Sequence, residues 1–323
     1  MEKPGVTRNV IHIISRHSNW PAQGITKYFK QNHIYADKAG WARFIDIALL
    51  SLGAAFCLAG VVFFFAYNWA DLHKFLKLGI VQLLIVVAIV LSVFTNWPPL
   101  VKNILLTAAS ILTGVLFAVF GQIYQTGADA YDFFLGWTVF ITLWALASNF
   151  APLWLIWLAL VNTTFVLYIQ QVGTTWPAMV TFLVMFLFNA AIIALVQLLI
   201  HSGKLKDVPK WFNKIVVLGA VACATISVLA GIFKRYPEGW ALAVLIIAVV
   251  YSIAIYYSFK KRSLFYLCVI PLSVIIIVST LIIETTKFNS SGVLLLISIF
   301  IIGSVTLLAR QLINLKKHWD GIN

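Results

Sequence analysis

Two carboxylates three positions apart, Asp129 and Asp132, are the first residues in this chain whose type and spacing suggest chemistry. They sit in FAVFGQIYQTGADAYDFFLGWTVF, residues 117–140, beside Gln122, Tyr124, Gln125 and Tyr131 and without a single Lys or Arg. On one helical turn the two acids share a face, and paired carboxylates attract a cation or hold a shared proton. Asn68, Trp69 and Asp71 close the preceding apolar run but one, Gln82 lies a turn inside the next, and Trp137 follows the acids. All fall at one depth if the runs cross a membrane, which predicts an outward-facing site for a cation, an amine or a polar head group. The competing reading is structural: Trp and Tyr form belts at membrane interfaces, and amides cap helix ends.

A second pair, Asn162 and Asn189, lies near the centres of two adjacent apolar runs. It reads either as a midplane binding element or as an interhelical amide hydrogen bond, worth about 0.6 kcal/mol on average in a membrane. Other chemistries find little support. The six His are scattered through tail and loops without HExxH or i,i+4 spacing, so no metal site is expected. Cys57, Cys223 and Cys268 each fall inside an apolar run with no CxxC, which suits buried packing. No GxSxG elbow or phosphate-cradling glycine loop is present, and no ionisable group lies at the middle of a run. The chain is therefore expected to be no enzyme, to carry no cofactor, and to lack the intramembrane charge on which proton pumps depend.

The elements that position these residues follow from composition. Hydrophobic residues make up 62% of the 323, charged residues 10%, and the mean hydropathy is +0.98. Soluble domains sit nearer half apolar and a quarter charged, so the chain reads as all-α and polytopic, a membrane helix bundle. A crossing helix needs about 20 residues. Ten candidates meet that length: 45–67, 78–95, 103–124, 133–149, 152–170, 176–200, 213–233, 239–258, 263–283 and 291–311. Pro, Gly, Asn and charge separate most of them; the weakest break, ASNFAPLW, has no charge, and Pro152 favours a hairpin there. With the amino terminus inside, 18 of the 23 Lys and Arg fall on the inner side and five on the outer, or 11 against five without the tail. Cytoplasmic loops carry this excess, so both termini are expected to be cytoplasmic. The net charge of +13 then reflects orientation and anionic lipid, not nucleic acid. The start lacks a small-residue cleavage site, and the first span is expected to act as an uncleaved insertion signal. Residues 1–44 form a cytoplasmic tail of two short amphipathic helices, 45–311 the ten-helix transmembrane domain, and 312–323 a second cytoplasmic tail. The amino-terminal tail reads equally as a membrane-surface or partner-binding element and as a cap packed on the inner loops.

Three features resemble a bacterial membrane-protein family catalogued as domain-of-unknown-function family 2157. They are QGITKYF in the tail, the small-residue first span SLGAAFCLAGVVFFFAYNW, and GQIYQTGADAYDFFLGW. The resemblance is strongest over residues 1–150 and implies a multi-pass protein of the bacterial inner membrane. It further implies a candidate partner, a small periplasmic-facing membrane protein with a GDYXXLXY signature; it implies no reaction.

Two functions from different classes fit these features. One is a transporter or flippase-like protein that handles a small cationic or lipid-like molecule. The other is a non-transporting scaffold or sensor that binds a periplasmic-facing partner. GQIYQTGADAYD has no counterpart near residues 239–258, so the five-plus-five inverted repeat common in transporters is not visible.

Overall fold

The structure is a computed structural model and describes residues 21–31, 38–67, 72–124, 127, 129–173, 175–203, 208–286 and 291–319. Within these residues the chain is helical, with turns between helices. In order they are α1 (Ala22–Gln31), α2 (Lys38–Tyr67), α3 (Lys74–Phe94), α4 (Pro99–Tyr124), α5 (Ala130–Ser148) and α6 (Ala151–Gln171). There follow α7 (Ala178–His201), α8 (Lys210–Phe233), α9 (Trp240–Lys260), α10 (Leu264–Thr286) and α11 (Ser291–Trp319). Ten of the described helices, α2 to α11, are long and apolar enough to cross a membrane. The protein is thus an all-α membrane protein of about ten spans.

Helix ends follow local chemistry. Pro98 and Pro99 separate α3 from α4, and Pro99 opens α4 because the first turn of a helix has no intrahelical partner for its N–H groups. At ASNFAPLW, α5 stops at Ser148, Asn149 takes the left-handed conformation at φ 47°, and Pro152 sits in the first turn of α6. Asn tolerates that conformation better than most residues. The expected hairpin therefore forms, and α5 packs along α6. Two helices run past their expected limits. α2 starts at Lys38, inside the expected tail, and α11 continues to Trp319, inside the other. No proline interrupts either extension, so the helices persist where their apolar runs give way to charge. In the tail, α1 begins directly after Pro21; the other expected tail helix lies outside the described residues.

The chain divides into two compact units, Gly53–Val249 and the pair Met1–Leu52 with Val250–Asn323. In the first, α3 packs on α4, α4 on α5, α5 on α6, and α7 on α8. One core joins Phe65 of α2, Val81, Ile85 and Ala88 of α3, and Ala109, Leu112 and Val119 of α4. A second joins Leu158 of α6 with Phe212 and Val216 of α8. α8 is the most enclosed of the spans, with 61% of its apolar window buried. Cys223, Ser227 and Gly231 lie on its buried side, and Ser227 Oγ donates to the Met179 carbonyl of α7 at 2.8 Å. Small side chains let helix backbones come this close. In the second unit α10 packs on α11, and the Tyr251 hydroxyl of α9 meets Ser273 Oγ of α10 at 3.0 Å.

Candidate functional site

The polar cluster is built on the α5–α6 hairpin. Three interhelical hydrogen bonds zip it from end to end. The Tyr131 backbone N–H donates to Gln171 Oε1 at 2.9 Å, the hydroxyls of Thr138 and Thr164 meet at 3.3 Å, and Trp157 Nε1 donates to Thr142 Oγ1 at 2.9 Å. The first two rungs are seven residues apart on both helices, running in opposite directions. Seven residues are about two helical turns, so the rungs fall on one antiparallel seam. The Tyr131 and Tyr168 rings meet edge to face at 5.5 Å beside the first rung.

That first rung places the acids. Asp129 is the N-cap of α5, in extended conformation, and its side chain makes no capping hydrogen bond. Its backbone carbonyl accepts from the Asp132 N–H at 3.1 Å, which closes the first turn. Both carboxylates are exposed, and Tyr131 lies within the field of both. Among the described residues no ion pair joins either acid to a cation.

Trp137 is fixed by α4. Its Nε1 donates to the Ser110 carbonyl at 2.7 Å, and its six-membered ring lies over Gly114, where an added Cβ would sit 2.5 Å from an indole carbon. Ser110, Gly114, Ala118 and Gln122 are spaced four apart along α4, but they do not share one face: the first two seat this indole, while Ala118 and Gln122 are exposed. The reason is helical geometry: four residues advance 400°, so a row of three such steps turns by about 120°. Gln122 accordingly lines a groove of about 660 Å³ with Ala118, Val119 and Val115 of α4 and Val62, Phe65 and Ala66 of α2. Tyr124, the last residue of α4, is exposed, and its ring lies tilted by 41° against Phe120 at 4.7 Å. Among the described residues neither acid accepts a hydrogen bond from Gln122 or Tyr124. Gln82 is exposed on α3. Asn68, Trp69, Asp71 and Gln125 lie outside the described residues.

The structure brings Asn162 and Asn189 together. Asn189 Nδ2 donates to Asn162 Oδ1 at 2.8 Å and Asn162 Nδ2 to Asn189 Oδ1 at 3.3 Å. Each Nδ2 also donates to a carbonyl of its own helix, Leu158 at 2.7 Å and Met185 at 2.8 Å. All four amide hydrogens are thus engaged between the two helices. Sequence reasoning passed over Tyr168 and Gln171, which stand at the same depth as Tyr131 at the end of an apolar run. It also counted Lys77 as a loop charge, whereas this residue lies in α3 with 7% of its surface exposed. Among the described residues no three His, Cys, Asp or Glu are grouped to hold a metal.

Ten apolar spans carrying a polar cluster at helix ends define a multi-pass membrane protein, consistent with the bacterial inner membrane expected from the sequence. Residues 19–154 match the family model described as "Predicted membrane protein (DUF2157)". The match covers α1 to α5 and with them QGITKYF of the tail, the first span and the acidic turn that carry the resemblance. No curated protein and no solved structure matches the chain.

Proposed function

We propose that this protein binds a cation-bearing, lipid-like or small molecule at its outer face, as a transporter or flippase-like protein of the inner membrane with both termini in the cytoplasm. The observation that carries this reading is the groove between α2 and α4, apolar along its length and ended by the Gln122 amide. Its volume lies within the range of small-molecule sites. An alkyl chain fits the apolar wall, and a head group would lie level with Gln122. Asp129 and Asp132 open the next helix after a short turn and supply negative charge on the same membrane face. α2 and α4 both run outward, because spans alternate in direction, so the groove belongs to the outer half of the bilayer.

The scaffold or sensor reading draws on a different observation. The two carboxylates stand exposed at a helix start, and the midplane amides are closed on each other. An exposed acidic turn suits a protein partner that docks from outside, such as the small periplasmic-facing protein with the GDYXXLXY signature. One experiment separates the two. Gln122→Leu and Asp129→Asn/Asp132→Asn are each returned to a strain lacking the gene. Loss of complementation by both supports a bound amphiphile. Loss by the acid variant alone supports a docked partner, and full complementation by both overturns the site.

A further inference from the structure

We propose that the exposed face of α3 is a contact between two copies of this chain, closed at its centre by the Gln82 amide of each. α3 runs from Lys74 to Phe94, so eight of its residues precede Gln82 and twelve follow. The residue thus lies near the middle of the span, about 12 Å along the helix from Lys74. Its side chain is exposed, and among the described residues it makes no hydrogen bond.

An amide at this depth needs a partner. The hydrocarbon core holds no water, so an unpaired polar group there is costly. Elsewhere the fold meets that demand internally. Asn162 and Asn189, also near the middle of their spans, close on each other, and the Ser110 and Thr113 hydroxyls each reach a carbonyl four residues earlier. Gln82 has neither arrangement. An amide is its own complement, because it carries two donors and an acceptor. Two copies inserted the same way and related by a two-fold axis along the membrane normal set Gln82 opposite Gln82 at one level. Any other protein would have to supply a polar side chain at that depth; a second copy does so by symmetry.

The residues around Gln82 suit that pairing. Phe75, Gly79, Gln82, Val86, Ile89 and Val93 follow alternating steps of four and three, the repeat of about 3.5 residues with which two helices pack side by side. All but Ile89, which is half-buried, are exposed. The other side of the helix is already engaged, since α3 packs on α4 and buries Val81, Ile85 and Ala88. A Cβ on Gly79 would meet nothing within 4 Å, so a neighbouring helix can come close one turn from the amide. Val86 and Val93, β-branched and seven residues apart, suit a two-stranded seam, in which a single polar side chain fixes the register. None of these residues lines the α2–α4 groove, so the contact is independent of the ligand proposed there.

The test is disulfide cross-linking in native membranes, with the full chain co-expressed under two different epitope tags and Cys57, Cys223 and Cys268 replaced by Ser. Val86→Cys, on the seam one turn from Gln82, is expected to give a disulfide dimer carrying both tags. Val87→Cys is exposed at the same depth but turned by about 100°, and is expected to give several-fold less. The amide is tested separately, by energy transfer between labelled copies as micelles are diluted with detergent. Gln82→Leu removes a polar group that no described residue bonds, so the chain is expected to fold as before. Its dimer dissociation constant is expected to rise about tenfold, the worth of two hydrogen bonds between helices. Equal cross-linking at 86 and 87, a product at 86 that never carries both tags, or a Gln82→Leu protein that dimerises as tightly as the parent would overturn the proposal.

Discussion

Adding one methyl group at Gly114 tests how the polar cluster is held. A Cβ there would lie 2.5, 2.6 and 2.7 Å from three carbons of the Trp137 indole, and the indole is anchored by its hydrogen bond to the Ser110 carbonyl. Replacing glycine by alanine inside a helix gains about 1 kcal/mol in propensity. Overpacking costs about 1–3 kcal/mol, and an indole pushed off its carbonyl forfeits about 1 kcal/mol more. Gly114→Ala is therefore expected to destabilise by about 2 kcal/mol net. Gly60→Ala is the control: it makes the same change where no atom lies within 4 Å, and is expected to stabilise by up to about 1 kcal/mol. Unfolding in mixed micelles with rising dodecyl sulfate measures both. A Gly114→Ala protein as stable as Gly60→Ala would show that the indole does not fix α5 against α4. The same geometry recurs at Gly231, where a Cβ would come still closer to Trp240, so Gly231→Ala is expected to be the most damaging of the three.

Two further outcomes are expected. In a double-mutant cycle, Asn162→Leu and Asn189→Leu should show a coupling of about 0.6–1.7 kcal/mol, because either single change strands half of a closed amide pair; strictly additive losses would count against the pairing. Deleting residues 2–36 should leave the spans inserted in the same orientation, since the remaining inner segments still hold 11 of the 18 inner-side cations without the whole tail; an inverted protein, scored by protease protection, would show that orientation depends on the tail.

The spans were legible because a membrane demands length and apolarity together, and few other arrangements satisfy both. Expected and observed limits agree to within a few residues wherever proline or glycine marks the break, and part company at Lys38 and Trp319, where charge alone marks it. Charge sets where a span leaves the hydrocarbon, whereas the helix ends only where its backbone bonding fails. The site was half legible. Asp129, Asp132 and Tyr131 stand out by type in an apolar context. Thr138, Thr142 and Thr164 do not, because each hydroxyl also lies within hydrogen-bonding distance of a carbonyl four residues earlier, so threonine passes as an apolar-compatible residue. The direction of Gln122 is hidden from spacing alone, because a row of residues four apart winds from the α5 side of α4 to the α2 side. The seat for Trp137 needed two separate facts, a glycine on one helix and an indole on the next, and spacing within either helix reveals neither.

The central claim is an outward-facing, cation-attracting turn. It is tested most directly by charge-selective labelling of Ala130→Cys, which places a thiol on the same turn as Asp129 and Asp132, in a chain whose Cys57, Cys223 and Cys268 are replaced by Ser. Intact cells are treated with a trimethylammonium methanethiosulfonate or its sulfonate counterpart, with Ser202→Cys as the thiol expected to stay protected inside. The account predicts labelling at position 130 but not at 202. It also predicts a cationic reagent that reacts several-fold faster than the anionic one, with that preference falling toward unity in low-salt medium once both acids are changed to Asn. Equal rates with the acids in place, or labelling confined to position 202, would contradict it.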